Sequence, residues 1–400
     1  MPRKGTLAVG LAAFLVSATA CWGADIHGKS STQLFFYDDY LKGRQVELTE
    51  YLRLAVTNVD KEKNLSFYGY GRGSQDLNDG DGLHGRLYYM YGEYRNLFDV
   101  IDVRAGRQYV NLSAGSAIID GGQVEFRGIP NVNVTVLGGR DVVFGEQTEI
   151  GPVGWDFGVS ASLAGFKKTD ADLSYMIKRR DGDARETVGA SFKQYLFDSV
   201  QAYGNFQYDM PSETWSQVTA GAKYFPTTSL ILTAEYFESY PIFDTTSIYS
   251  VFTVNQYQEM ILRADYTFND KVSVNGGYNR QWYGDGGAAD VYHVGAGVRP
   301  LEHLKINGEY DKRKGYYGEA DGVAFDAAYE IMKNAEIAAG FYYDVYTRDV
   351  MTGDDIARSY WLGGTYKVGK NIALTARIQN DVNAEYHENV SGRFVFDYIF

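Results

Sequence analysis

The side chains best suited to bond-making or metal chemistry are few: five histidines, His27, His84, His293, His303 and His387, and a single cysteine, Cys21. The histidines are scattered, with no short spacing that would bring two imidazoles onto one metal. His293 falls in mid-strand on a polar face and reads as a wall residue rather than a ligand. One cysteine can form no intrachain disulfide, no Cys-x-x-Cys pair and no c-type haem motif. The run Asp76-Leu77-Asn78-Asp79-Gly80-Asp81-Gly82 invites a calcium reading. It fails because Gly80 takes a ligand position and Asp81 the place of the turn glycine, so an acidic outer loop is the better reading. Gly69-x-Gly71-x-Gly73 has no helix after it and makes no phosphate cradle. These residues predict no catalytic, cofactor or metal site, and a protein that is not an enzyme.

The chain has instead charge at alternate positions. Arg53, Arg104, Glu125, Arg127, Lys178, Lys193, Lys223, Glu235, Arg263, Asp265, Lys305, Glu309, Asp326, Glu330, Glu336, Asp344, Arg377 and Arg393 each fall on the polar side of a two-residue alternation. In Trp155, Phe157, Val159, Ala161 and Leu163 against Asp156, Gly158, Ser160 and Ser162 the pattern is plain, and Ile372 to Gln379 repeats it. A period of two places unlike residues on the two faces of a strand. An Arg or Lys facing mid-bilayer lipid costs roughly 2–4 kcal/mol, so these charges are expected to face water or one another as pore-lining residues. Most would form a solvated wall of mixed sign. Glu309, Asp311, Asp326, Glu330, Glu336 and Asp344 form one acidic stretch, far in sequence from Lys178, Lys193 and Lys223, which predicts a transverse field and mild cation preference.

The elements that carry these residues are about ten residues long, the length a tilted membrane strand needs. The pattern predicts an all-β fold, a transmembrane antiparallel up-and-down β-barrel of about 22 strands, with 20 as the alternative. Tight turns at 60–63, 96–100, 128–131, 167–171, 197–199, 226–229, 269–270, 300–303, 333–334 and 369–370 would lie at one end, with longer loops at the other. Both termini would then be periplasmic. The shortest expected strands lie near Asp102 to Gln108 and Gln123 to Arg127. Two loops, Asn111 to Gly121 and Pro241 to Asn255, are candidates to fold inward and narrow the lumen.

Arg3 and Lys4, the apolar stretch Leu7 to Ala20 and the Ala18-Thr19-Ala20 pattern read as a signal peptide over 1–20, with cleavage as late as 24. Residues 25–400 would form a single barrel domain. No later apolar run has the length of a membrane helix. Mean hydropathy is −0.31, as expected when only alternate residues meet lipid. The 45 Gly, 34 Tyr and 22 Phe fit long sheets with aromatic girdles, and the net charge of −13 argues against nucleic acid as a partner.

The terminal strand, with Phe396, Tyr398 and Phe400 on one face, resembles the closing strand of Gram-negative outer-membrane β-barrels. That resemblance implies an outer-membrane location, lipid around the barrel, and these three aromatics as the signal read by the barrel-assembly machinery. Gly165-Phe166-Lys167-Lys168-Thr169-Asp170 and Asp244-Thr245-Thr246-Ser247-Ile248-Tyr249-Ser250-Val251-Phe252 resemble OmpJ-type porin channels of metal-reducing bacteria. The resemblance implies a porin for small hydrophilic solutes and ions. The alternative it leaves open is a conduit barrel housing a multihaem cytochrome. A homotrimer is also left open, since no strand's outer face stands out as a contact wall.

Overall fold

The computed structural model describes residues 24–39, 42–78, 82–144, 149–150, 154–180, 182–240, 256–316, 318–349, 353–384 and 388–400. The predicted signal peptide and the candidate loop 241–255 lie outside the described residues. The strands in chain order are β1 (Asp25–Asp39), β2 (Gly43–Thr57), β3 (Leu65–Asp76), β4 (His84–Leu97), β5 (Ile101–Leu112), β6 (Gly115–Ile129), β7 (Val132–Asp141), β8 (Val143–Phe144), β9 (Glu149–Ile150), β10 (Gly154–Phe166), β11 (Thr169–Arg180) and β12 (Asp183–Leu196). They continue as β13 (Val200–Asp209), β14 (Thr214–Thr227), β15 (Leu230–Ser239), β16 (Tyr257–Asn269), β17 (Val272–Tyr283), β18 (Ala288–Leu301), β19 (Leu304–Gly315), β20 (Ala320–Met332), β21 (Ala335–Asp349), β22 (Gly353–Val368), β23 (Ile372–Val382) and β24 (Asn389–Ile399).

All but β8 and β9 belong to one 22-stranded sheet, and those two pair only with each other. Each strand pairs antiparallel with its neighbours, and β24 returns to β1 in the register Lys29↔Ile399 to Phe36↔Gly392. Gly28 and Phe400 complete the seam by exchanging both backbone hydrogen bonds, at 2.9 and 3.0 Å. The sheet is therefore a closed barrel of the predicted strand number. Closure leaves no edge, the only way a sheet can cross hydrocarbon with its peptide groups paired.

The ten expected tight turns all join successive strands at the end that carries both termini. Lys167 and Lys168 form the two-residue turn between β10 and β11, with φ of 49° and 62°. Positive φ at both central residues gives a turn whose twist matches that of the flanking strands. The region around 101–129 differs from expectation. β5 and β6 run through most of the predicted loop at 111–121, because Val110 and Leu112 still alternate with polar neighbours and pair with Ala117 and Gly115.

Burial separates the two faces. Along β10, Trp155, Phe157 and Val159 are 52%, 47% and 42% exposed, whereas Asp156 and Ser160 are buried. Among the described residues the buried apolar cluster is small, Val110, Ala114, Ala117, Ile119, Leu137 and Met176. The barrel is held chiefly by its ladder of backbone hydrogen bonds.

The ring of Phe400 lies over Gly28 and 5.8 Å from that of Tyr398. Phe400→Ala is expected to weaken the seam by about 1–2 kcal/mol, roughly half the loss at a fully buried phenylalanine. Chemical denaturation of the refolded barrel, followed by heat-modifiable gel mobility, measures it.

Candidate functional site

Directly paired residues in an antiparallel sheet share a face, so the register carries one face around the barrel. Arg53 pairs with Lys29 and Tyr70. Arg104 pairs with Glu93 and Gln123, and Glu125 with Asp102. Lys178 pairs with Asp156, and Lys193 with Asp170. Lys223 and Arg263 pair with Thr233 from either side, Glu235 with Gly221 and Asp265 with Asn275. Glu309 pairs with Gly295, Asp326 with Asn307 and Lys305 with Ala328. Glu330 pairs with Glu336 and Asp344 with Gly322, while Arg377 pairs with Arg393. Arg127 joins the same face by binding Asp102 at 2.6 Å. The predicted wall residues thus lie opposite the exposed apolar residues.

Most of these charges are already engaged. Glu93, almost fully buried, accepts from Arg95 at 2.8 Å and Arg104 at 2.7 Å. Lys193 binds Asp170 at 3.1 Å, and Arg263 binds Asp265 at 2.7 Å. Tyr203 donates to Glu235 at 2.6 Å, with the Lys223 ammonium 5.8 Å from its ring centre. Lys178 donates to the Ser116 carbonyl at 2.7 Å. The acidic stretch keeps together as an arc over β19 to β21. The three lysines named from sequence lie away from it on β11, β12 and β14, while Lys305 and Arg313 share β19 with it and Arg377 and Arg393 are neighbours on β23 and β24. The Arg377 guanidinium stacks 4.3 Å from the ring centre of Trp361 on β22, and Arg393 donates to Gln33 at 2.7 Å. Two guanidiniums in direct register are held apart by these separate anchors.

Among the described residues, the hairpin of β5 and β6 stands inside the barrel. Pairing of β4 with β5 stops at Met90↔Arg107, and pairing of β6 with β7 begins at Ile119↔Asp141. Between those points the hairpin leaves the wall. The bend sits at Gly106, Gly121 and Gly139, which align in register across three strands. Gly106 has φ +126°, and a Cβ at Gly121 would collide with the Gly138 carbonyl oxygen. Only glycine permits so close an approach of backbones. Arg107 and Asp120 clamp the root through two bonds of 2.7 Å. Phe144, beyond β7, packs edge-on to Tyr88 of β4 at 5.7 Å and covers the place the hairpin vacated.

The tip rests on the polar face of β11 and β12. The Ala114 amide donates to Ser174 Oγ at 2.7 Å, and the Ser113 hydroxyl bonds Asp172 and lies 3.1 Å from Ser191 Oγ. A Cβ at Gly189 would collide with the Ala114 nitrogen. Leu112, Ala114 and Ala117 pack with Leu137 and Met176. The small apolar sequence at 111–121, read as a candidate constriction, is therefore the tip of a hairpin docked on the inner face of β11 and β12. Two cavities of about 380 and 270 Å³ flank it, both lined by Asn111 and Gln207.

Sequence reasoning missed Glu50. It lies at the middle of β2 on the outer face, in register with Thr32 and Gly73. Its two oxygens accept from Ser30 at 2.6 Å and Thr32 at 2.5 Å. The only sequence signal was a carboxylate interrupting Leu48, Leu52 and Leu54.

No family model matches the chain. No curated protein matches it either. Among solved structures it is similar to OccAB2 of Acinetobacter baumannii, with TM-score 0.50 and 13% identity over 94% of this chain and 98% of that one. A BenF-like porin of Pseudomonas fluorescens gives TM-score 0.48 and 11% identity over 94% and 98%. The outer membrane protein OpdK of Pseudomonas aeruginosa gives 0.47 and 9% over 94% and 99%. The likeness is one of fold: a closed antiparallel barrel of the porin type.

Two outcomes follow. Gly189→Val is expected to lift the hairpin tip off β12 while leaving the barrel closed, read as new protease cleavage between Asn111 and Ser116. Glu50→Leu is expected to raise stability in detergent by roughly 1 kcal/mol, since a lipid-facing carboxylate is unfavourable; a denaturant titration measures it, and a loss would show that this face meets something other than lipid.

Proposed function

Taking a closed porin-type barrel with a polar inner face as the premise, we propose that this chain is an outer-membrane channel for passive diffusion of small hydrophilic solutes and ions. The reading places it in the outer membrane of a Gram-negative bacterium, with both termini in the periplasm. The wall residues from Arg53 to Arg393 line the water path. The observation that carries the reading is the β5–β6 hairpin docked inside the barrel. Docked there, it would narrow the lumen, as a diffusion pore with a size limit requires. A barrel that houses a cytochrome needs an unobstructed bore, so the same hairpin weighs against the conduit alternative. Phe396, Tyr398 and Phe400 end a strand that closes on β1, which supports their reading as the assembly signal.

Selectivity follows from the acid arc. Most basic wall residues are spent on partners, whereas the carboxylates of β19 to β21 outnumber the cations among them. The prediction is mild cation preference, stronger at low salt where screening is weak.

Single-channel recording of the purified protein in a planar bilayer tests this reading. Stable discrete openings from the protein alone are expected, with a reversal potential of cationic sign in a salt gradient. Replacing residues 111–116 by a short glycine linker is expected to raise the conductance. Folded protein that conducts no ions would overturn the channel reading, and clear anion selectivity would overturn the role given to the acid arc.

A further inference from the structure

We propose that His293, Glu309 and Asp311 form a binding site for a divalent transition-metal ion of the zinc type on the inner wall. The three residues lie on β18 and β19, and their ligand atoms all lie within 4.8 Å of one another. His293 Nδ1 stands 2.7 Å from Asp311 Oδ1 and 3.3 Å from Glu309 Oε1. Its other nitrogen, Nε2, lies 2.6 Å from Asn275 Oδ1 on β17.

That last contact supplies what an acidic cluster alone lacks. With the imidazole proton on Nε2, donated to the Asn275 side-chain carbonyl oxygen, the lone pair stands on Nδ1. In that tautomer the lone pair points at two carboxylates, and a cation between them satisfies all three groups. A metal ion does so with the ring neutral. Fixing a histidine ligand through its remote N–H is the usual outer support of a metal site.

A further carboxylate leans in. His293, Asp311, Gly322 and Asp344 align in register across four strands. A Cβ at Gly322 would collide with Asp344 Oδ1, so the missing side chain lets that carboxylate lie over β20 toward Asp311. The nearby cations are directed elsewhere. Arg313 donates to Gln281, Tyr283 and the Tyr316 carbonyl, and Lys312 binds Asp321 on the outer face. One imidazole nitrogen with two carboxylates is a donor set for zinc and its neighbours rather than for calcium or magnesium, which take oxygen alone. The side chains are about a quarter to a half exposed, which leaves the remaining coordination positions to lumen water.

The test is calorimetric titration of the refolded full barrel in detergent micelles with ZnCl2, and separately with CaCl2. It needs no current, so its failure and failure of the channel reading are distinguishable. Saturable zinc binding that calcium does not match is expected. His293→Ala and Asp311→Asn should each weaken it at least tenfold, and Asn275→Ala by roughly 10–100-fold, the range for loss of an outer support. With Cu2+ as probe, electron paramagnetic resonance should show nitrogen coupling that His293→Ala removes. Heat-modifiable mobility selects the variants that fold; if His293→Ala does not, Asn275→Ala and Asp311→Asn decide the matter. Zinc binding no tighter than calcium binding, or unchanged in the folded variants, overturns the proposal.

Discussion

A peptide group inside hydrocarbon has no water to bond, and the rest of this structure depends on that. Each unpaired N–H or C=O there costs several kcal/mol. A sheet meets the demand only when its last strand returns to its first, as β24 does to β1. Once closed, every strand has one face to lipid and one to the interior. Side-chain chemistry is then sorted by parity of position along the strand, which is why charges separated by hundreds of residues share one wall.

The β5–β6 hairpin is the local exception. Its backbone leaves the wall and pairs only with itself over 108–117, apart from contacts at the tip, and rejoins the wall where the Val142 amide donates to the Ile118 carbonyl at 2.8 Å. This is tolerable because it lies inside the barrel, where its polar groups meet serines, Asp172 and Lys178 rather than lipid. Phe144 and Tyr88 pack edge-on beside the place where a strand pair would otherwise run. The glycine row that makes the bend also makes it narrow, since backbones in contact through glycine cannot slide past a side chain.

Much of this was legible in the sequence, and the limits were physical. Alternation shows strands and faces because the period is two, so the charges from Arg53 to Arg393 could be placed on a common face from the sequence alone. Short polar turns were legible for the same reason, as at Lys333-Asn334. The inward fold at 111–121 was legible in its small apolar residues, but the continuation of the β5–β6 ladder through it was not, because a loop was expected there. What bends it is Gly106, Gly121 and Gly139, which become neighbours only through register. His293 and Asp311 are likewise 18 residues apart and meet only because β18 and β19 are antiparallel. Glu50 escaped notice because a single carboxylate among leucines has no period of its own.

The seam between β1 and β24 has a consequence for how the molecule is made. The first strand's partner is synthesised after every other strand of the sheet, so closure has a very high contact order and must be slow. Until then the chain carries two open edges, each a row of unpaired amides able to template pairing with another copy. Nothing in β1 blunts its edge by a proline, and β24 has none either. The nascent barrel is thus prone to pairing with other copies for as long as it is unfinished. Kinetic protection, rather than extra stability, is what this topology demands of the cell.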